Sequence, residues 1–213
     1  MRYQVRNGNR LRVPKRVNSH HFLYQAEPKP LDAAALDVVV SAVKCFTLER
    51  RLHASEVEIV SRQHLGDEAA AAFARLEAPL LELSCAAPPL SAEILVCHQA
   101  FPHTDATFAG IAFLSVVLHT GPEDYVLQAF HVQRDRQGLQ DVVSSSRVLQ
   151  VGDWCVFDPT TPHMAAPLAP HQDSLLILMQ LGLRDEDREA RRAILKELPP
   201  RADDVDIQDF TFL

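Results

Sequence analysis

The sequence predicts an α+β protein in which a helical first third backs an antiparallel β sandwich or barrel. Two changes along the chain carry this. From Asp32 to about Leu83 apolar residues recur with the period of a helix. After Pro88 and Pro89 the period shifts to short runs rich in Val, Ile, Leu and Phe, separated by turn residues. No helical stretch interrupts those runs, which argues against the strand–helix alternation of a parallel sheet. The chain of 213 residues, 47% hydrophobic and 23% charged, can bury one sizeable core without disulfides, and it is too apolar for disorder.

The elements follow in order. The first 16 residues carry Arg2, Arg6, Arg10, Arg12, Lys15 and Arg16, read as a solvated basic arm. Asp32 is placed to cap a helix whose face is Leu36, Val39, Val40 and Val43. Ser55 and Glu58, at capping-box spacing, predict a second helix that stops at Gly66. The run opening at Asp67 predicts a third, with Pro79 kinking or ending it. Then come EILVCHQAF, IAFLSVVLHT, DYVLQAFHV, VVSSSRVLQV, DWCVFD and SLLILMQLGL, six or more strands whose turns include Gly121-Pro122 and Arg136-Gln137-Gly138. A last helix is expected at about 185 to 198, before a tail ending in Phe210, Phe212 and Leu213.

Composition removes several function classes. With 21 basic against 28 acidic residues and a formal charge of -7, no domain-wide attraction to nucleic-acid phosphates is expected. No apolar run reaches the roughly 18 to 20 residues of a membrane span, and the start has no signal-peptide core, so a cytoplasmic protein acting on a small-molecule substrate is expected. The cysteines Cys45, Cys85, Cys97 and Cys155 are scattered, which argues for reduced thiols and against a zinc-thiolate site. The oligomeric state stays open.

One constellation stands out. In EILVCHQAFPHTD, strand alternation puts Cys97, Gln99, Phe101 and His103 on one side, with Asp105 close by. An imidazole and a carboxylate one residue apart can take adjacent positions on a divalent metal. A third ligand, a His from a later strand, would complete the facial two-His, one-carboxylate set that suits non-haem Fe(II). His163 is the candidate, rigidified by Pro159 and Pro162 and 58 residues after Asp105, room for three or four short strands. The competing reading makes His103–Asp105 an ordinary strand-end hydrogen bond and His163 a loop cap.

The HTD at 103 to 105, the strand-rich stretch after it and GDWCVFDPTTPH resemble the HxD…H signature of the Fe(II)- and 2-oxoglutarate-dependent oxygenases, over about residues 93 to 183. The resemblance implies a double-stranded β-helix, the jelly-roll or cupin-like barrel, with supporting N-terminal helices and a C-terminal helix. It implies one domain over 1-213: an arm and helical support over 1-88, the jelly-roll core over 89-184, and a helix and tail over 185-213. His103, Asp105 and His163 would be catalytic as the iron ligands, and 2-oxoglutarate and O2 would serve to hydroxylate or otherwise oxidise an unactivated C–H bond. That family usually anchors the distal carboxylate of 2-oxoglutarate with Arg or Lys soon after the last His, because a guanidinium fork matches a carboxylate. Here the first basic residue after His163 is Arg184, 21 positions on. Arg184, Arg147 and Gln99 are the cosubstrate-binding candidates, with His171, Gln172 and Ser174 the polar groups nearer the usual place. GDxxxFxPxxPH also resembles the second cupin motif, and a cupin-type metal enzyme or metal-binding jelly-roll that does not use 2-oxoglutarate is the alternative. HTDATFAG lacks the His cluster of the first cupin motif. His119 and His131 are further residues that could face the barrel interior.

Overall fold

The computed structural model describes residues 24–26, 30–50, 57–84, 92–105, 111–134, 140–157, 162–169, 171 and 173–184. The basic arm, the helix expected at 185 to 198 and the apolar tail lie outside the described residues.

Ten strands and two α-helices are described. In chain order they are β1 (Tyr24–Ala26), α1 (Ala33–Arg50), β2 (Val57–Val60), α2 (Gly66–Ser84), β3 (Glu93–Cys97), β4 (Ala100–His103), β5 (Ile111–His119), β6 (Tyr125–Arg134), β7 (Gln140–Leu149), β8 (Trp154–Phe157), β9 (His163–Pro167) and β10 (Leu176–Arg184). They form a six-stranded sheet in the order β1-β8-β5-β10-β3-β2 and a four-stranded sheet in the order β4-β9-β6-β7. Every described pairing is antiparallel. Successive strands from β3 to β10 alternate between the sheets in the jelly-roll manner, except that β6 and β7 form a hairpin within the smaller sheet, and β1 and β2 are added at the edges of the larger one.

The larger sheet is apolar on both faces. Outward, Ile94, Val96, Leu114, Val116, Trp154, Val156, Ile177 and Met179 pack against the helices. That face receives the α1 stripe of Ala35, Val39, Val43 and Thr47, spaced one every four residues, and Phe73, Leu76 and Leu80 of α2. Inward, Cys97, Phe113, Val117, Cys155 and Leu176 meet Ala100, Tyr125, Leu127, Ala129, Leu149 and Ala165 of the smaller sheet. Each large side chain so buried is worth about 1.5–3 kcal/mol. This two-sided burial explains why its strands read as continuous apolar runs instead of alternating ones.

Asp32 caps α1 as its position predicts: its Oδ1 accepts from Ala35 N at 3.0 Å, and its carbonyl from Leu36 N at 2.8 Å. The helix expected from Ser55 to Gly66 does not form. Val57–Val60 is instead an edge strand paired with β3, followed by a short 3-10 turn at Arg62–His64. The β-branched sequence VEIV alternates with period two, and a free sheet edge outweighs a capping-box spacing there. Helix α2 passes through Pro79 to Ser84 without ending. Beneath it Glu77, 4% exposed, accepts Ala92 N at 2.9 Å on Oε1 and pairs with Arg62 through Oε2. One buried carboxylate thus ties α2, the 3-10 turn and the entry to β3.

The Gly-Asp pair ahead of β8 is a turn device. Gly152 takes φ +90°, a region glycine enters without steric cost. Its N–H donates to Val117 O at 2.8 Å, and Val117 N donates back to Asp153 O at 3.0 Å. Asp153, fully buried, accepts Gln150 N on Oδ2 at 2.7 Å. β8 therefore starts in fixed register with β5.

Candidate metal centre

His103 ends β4 and His163 begins β9. The two are directly opposite in the ladder that joins these strands. The next opposed pair is Ala100 and Ala165, so three steps on β4 face two on β9. This bulge corrects the alternation expected for EILVCHQAFPH. Cys97 and Ala100 face the interior, Phe101 turns out at 56% exposure, and the extra residue brings His103 back to the same side as Ala100. β4 is the edge of its sheet, which is why Pro102 is tolerated inside it.

The three candidate ligands come together. Asp105 Oδ1 lies 3.8 Å from His103 Nε2, and Asp105 Oδ2 lies 3.6 Å from His163 Nε2. The imidazole centroids are 4.4 Å apart and their planes inclined at 53°. One donor atom from each residue lies within 4.8 Å of the other two, close enough to hold a metal ion. His103 Nδ1–H donates to the Phe101 carbonyl at 2.6 Å, which leaves Nε2 bare and turned to the other ligands. His163 is 9% exposed in its side chain, against 36% for His103 and 30% for Asp105. The cluster is thus closed on the β9 side and open on the other. Two imidazole nitrogens and one carboxylate oxygen form the donor set that suits non-haem Fe(II) and leaves coordination positions free.

Beyond the ligands the interior is lined by both apolar and polar side chains. Ala129 stands opposite His163 on β6, and one step further in Ala165, Leu127 and Arg147 form a row across β9, β6 and β7. Arg147 shares the inward parity of Leu149. It is half-buried, and its Nη1 donates to Ser146 O at 2.9 Å. Its charge reaches the Cys155 thiol on the facing sheet: burial and then Asp153 drive that thiol upward, and Arg147 opposes them. The thiol of Cys97, also buried, is raised to about 12, so neither inward cysteine offers a thiolate at neutral pH. From the larger sheet, Ser115 and Gln180 point to the same interior. Ser115 Oγ donates to Gln180 Oε1 at 3.0 Å, the two being opposed on β5 and β10.

The other candidates are placed as follows. Arg184 closes β10 opposite Ile111, where β5 begins soon after Asp105; its side chain lies outside the described ones. Its distance from His163 in sequence is the length of β9 running away from the cluster and β10 running back. Gln99 belongs to neither strand: it lies in the turn between β3 and β4, four residues before His103, and does not share a strand face with it. His171 and Ser174 bond each other between β9 and β10, at the end of β9 remote from His163, because β9 starts at the cluster and runs away from it. Gln172 lies outside the described residues. His119 sits at the end of β5 beyond an irregularity in the ladder, on the side where burial and Lys44 of α1 lower its pKa to about 4. His131 pairs with Val143, its side chain outside the described ones. Sequence reasoning missed Ser115 and Gln180. Their signal was one polar residue inside each of the otherwise apolar runs IAFLSVVLH and LILMQLGL.

No protein-family profile and no curated protein matches the chain. Several solved structures share part of its chain path. The non-heme alpha ketoglutarate dependent carbocyclase SnoK from nogalamycin biosynthesis is 17% identical over 84% of this chain and 87% of its own, with a TM-score of 0.48. The epimerase SnoN, in complex with Fe3+, alpha ketoglutarate and nogalamycin RO, is 16% identical over 78% and 79%, with a TM-score of 0.49. A Pseudomonas putida prolyl-4-hydroxylase is 12% identical over 78% and 94%, with a TM-score of 0.46.

Proposed function

We propose that this chain is an Fe(II)-dependent oxygenase that uses 2-oxoglutarate and O2 to hydroxylate or otherwise oxidise a small-molecule substrate. The observation that carries this reading is the His103–Asp105–His163 cluster, whose three donors lie within 4.8 Å of one another at the joined ends of β4 and β9. The donor chemistry fits iron, and the residues fit the facial arrangement, with the Nε2 atoms of both imidazoles turned to one carboxylate. Iron held there by His103, Asp105 and His163 would supply the redox chemistry for O2 activation coupled to oxidative decarboxylation of 2-oxoglutarate.

The chain's own residues do the rest. Asp105 balances part of the metal charge, and the Phe101 carbonyl holds the His103 ring in one tautomer. Ala129 and Ala165, small residues beside His163, leave room inward of the ligands. Arg147, one row deeper, serves as the cation for the far carboxylate of 2-oxoglutarate, with Arg184 a second basic residue at the cluster end of β10. Phe113, Leu127 and Cys155 line the space and exclude water from it. The substrate approaches from the side of His103 and Asp105, the exposed side of the cluster.

The test is an anaerobic titration of metal-free protein with Fe(II) and then 2-oxoglutarate. The expected result is the weak visible charge-transfer band of a chelated 2-oxo acid, absent in His163→Ala. If iron binds and no band develops, a metal-dependent jelly-roll enzyme that does not use 2-oxoglutarate replaces this reading.

A further inference from the structure

The larger sheet ends at β2, and that edge is unprotected. Its four residues pair with β3 in a regular ladder, and among the described residues no strand pairs with its outer side. Exposed sheet edges are ordinarily blunted by proline, lysine or a bulge. β4, the edge of the smaller sheet, carries both Pro102 and a bulge. β2 reads VEIV and carries none of these. Its two faces differ. Val60 is buried beneath the helices, and on the same face Glu58 Oε1 accepts from Arg50 Nη1 of α1 at 3.1 Å. Val57 and Ile59, on the opposite face, are 42% and 51% exposed. Two β-branched side chains displayed along an open edge form the pattern that pairs with a further strand.

These four residues are their own complement. In an antiparallel pairing about a twofold axis, directly opposed side chains share a face, so Val57 and Ile59 meet residues of the exposed face only. The register centred on Glu58 sets Val57 against Ile59 of the second copy, and Ile59 against its Val57. Moving the axis to Ile59 leaves Val57 opposite Ser61 instead. On the helix side the axis brings the two Glu58 carboxylates together, which alone would repel. Each has Arg50 beside it, with a guanidinium 54% exposed and donors enough for both carboxylates. Two acids and two bases thus surround the axis, neutral as a set.

We propose that β2 is a dimer interface, through which two copies of this chain join their larger sheets edge to edge about a twofold axis on Glu58. An isologous contact of this kind closes with two chains. Pairing of two four-residue strands falls short of the roughly 1,200 Å² of a standard interface, so the dimer is weak, with a dissociation constant on the order of 10–100 μM. It stands apart from the metal centre, whose histidines lie on β4 and β9 of the smaller sheet.

Sedimentation velocity of the full chain from about 1 μM to about 1 mM reads the dimer directly. Wild type is expected to pass from monomer to dimer across that range. Glu58→Arg leaves only bases at the axis and Arg50→Glu only acids, so each should weaken the dimer about tenfold or more. An equimolar mixture of the two should dimerise at least as readily as wild type, because a basic edge then faces an acidic one. Restoration by mixing is a readout that a folding defect in either variant does not produce. Ile59→Lys should remain monomeric. A wild type that stays monomeric throughout overturns the inference and leaves the edge to a different partner. A dimer that survives both charge variants, or two monomeric variants that fail to associate on mixing, overturns it as well.

Discussion

Removing the carboxylate at Asp105 tests the metal centre without any knowledge of the substrate. Its two oxygens lie 3.8 Å and 3.6 Å from the imidazole nitrogens of His103 and His163, so it contributes the only negative charge among the three ligands. A ligand that binds only the folded state at about 100 times its dissociation constant stabilises that state by about 2.7 kcal/mol. In a chain of this length 1 kcal/mol moves the melting temperature by roughly 2–4 °C, so saturating Fe(II) should raise it by about 5–11 °C. Loss of an outer-shell partner weakens metal binding about 10- to 100-fold, and loss of a charged ligand itself is larger, of order a thousandfold. At the same iron concentration Asp105→Ala then keeps about 0.06 kcal/mol of the stabilisation, a shift below roughly 0.3 °C. Without metal the variant should melt within about 0.5 kcal/mol of wild type, since Asp105 is partly exposed and outside the core. The assay is anaerobic thermal denaturation with and without Fe(II). A variant that retains the full iron-dependent shift would refute the assignment of Asp105 as a ligand.

Three further outcomes are expected. Arg147→Gln should weaken 2-oxoglutarate binding by about 10- to 100-fold, the value of a hydrogen bond to a charged group, and leave iron affinity unchanged; calorimetry on the iron-loaded protein checks both. Glu77→Ala should cost about 2–4 kcal/mol in urea unfolding, because Ala92 N loses its acceptor in a buried place, whereas Arg62 is exposed enough to be solvated. Glu77→Gln, which keeps an acceptor, should cost less. His119 has a folded pKa lowered to about 4 from an ordinary 6.5, so the unfolded chain binds more protons between those values. Stability should accordingly fall as pH drops from about 6.5 to 4, by about 1–2 kcal/mol after solvent screening, and His119→Gln should flatten that slope in pH-dependent urea titrations.

Much of this architecture is written locally in the chain. Asp32 marks a helix start because a capping bond spans three residues, and β5, β6, β7, β8 and β10 are legible as short runs rich in Val, Ile, Leu or Phe between turns, whereas the short β9 was read only as the place of His163. The pairing of His103 with His163 could be anticipated from two motifs, since ligand chemistry restricts residue type and Pro162 announces a rigid approach. What failed was of longer range. Ser55–Glu58 has the spacing of a helix start, yet β3 offers Val57–Val60 a partner that the local sequence does not reveal. The side of Phe101 was misread because the turn at 98–99 between β3 and β4 shifts the alternation by one residue, and a bulge, a property of two strands together, then brings His103 back inward. Ser115 and Gln180 escaped for a similar reason: each is a single polar residue in an apolar run, and only the register of β5 on β10 makes them a pair.

The bulge in β4 has a consequence for how this chain can vary. Side chains on a strand behave as a parity code, in which each insertion or deletion of one residue exchanges inside for outside. Between Ala100 and His103 the code is read with one residue more than on β9, and both ends nonetheless face inward. Deleting Phe101 or Pro102 alone would restore a regular ladder and still damage the centre, since the path that carries the chain to Asp105 would be one residue short. Connections elsewhere can lengthen without altering which atoms meet, but this four-residue strand is length-locked.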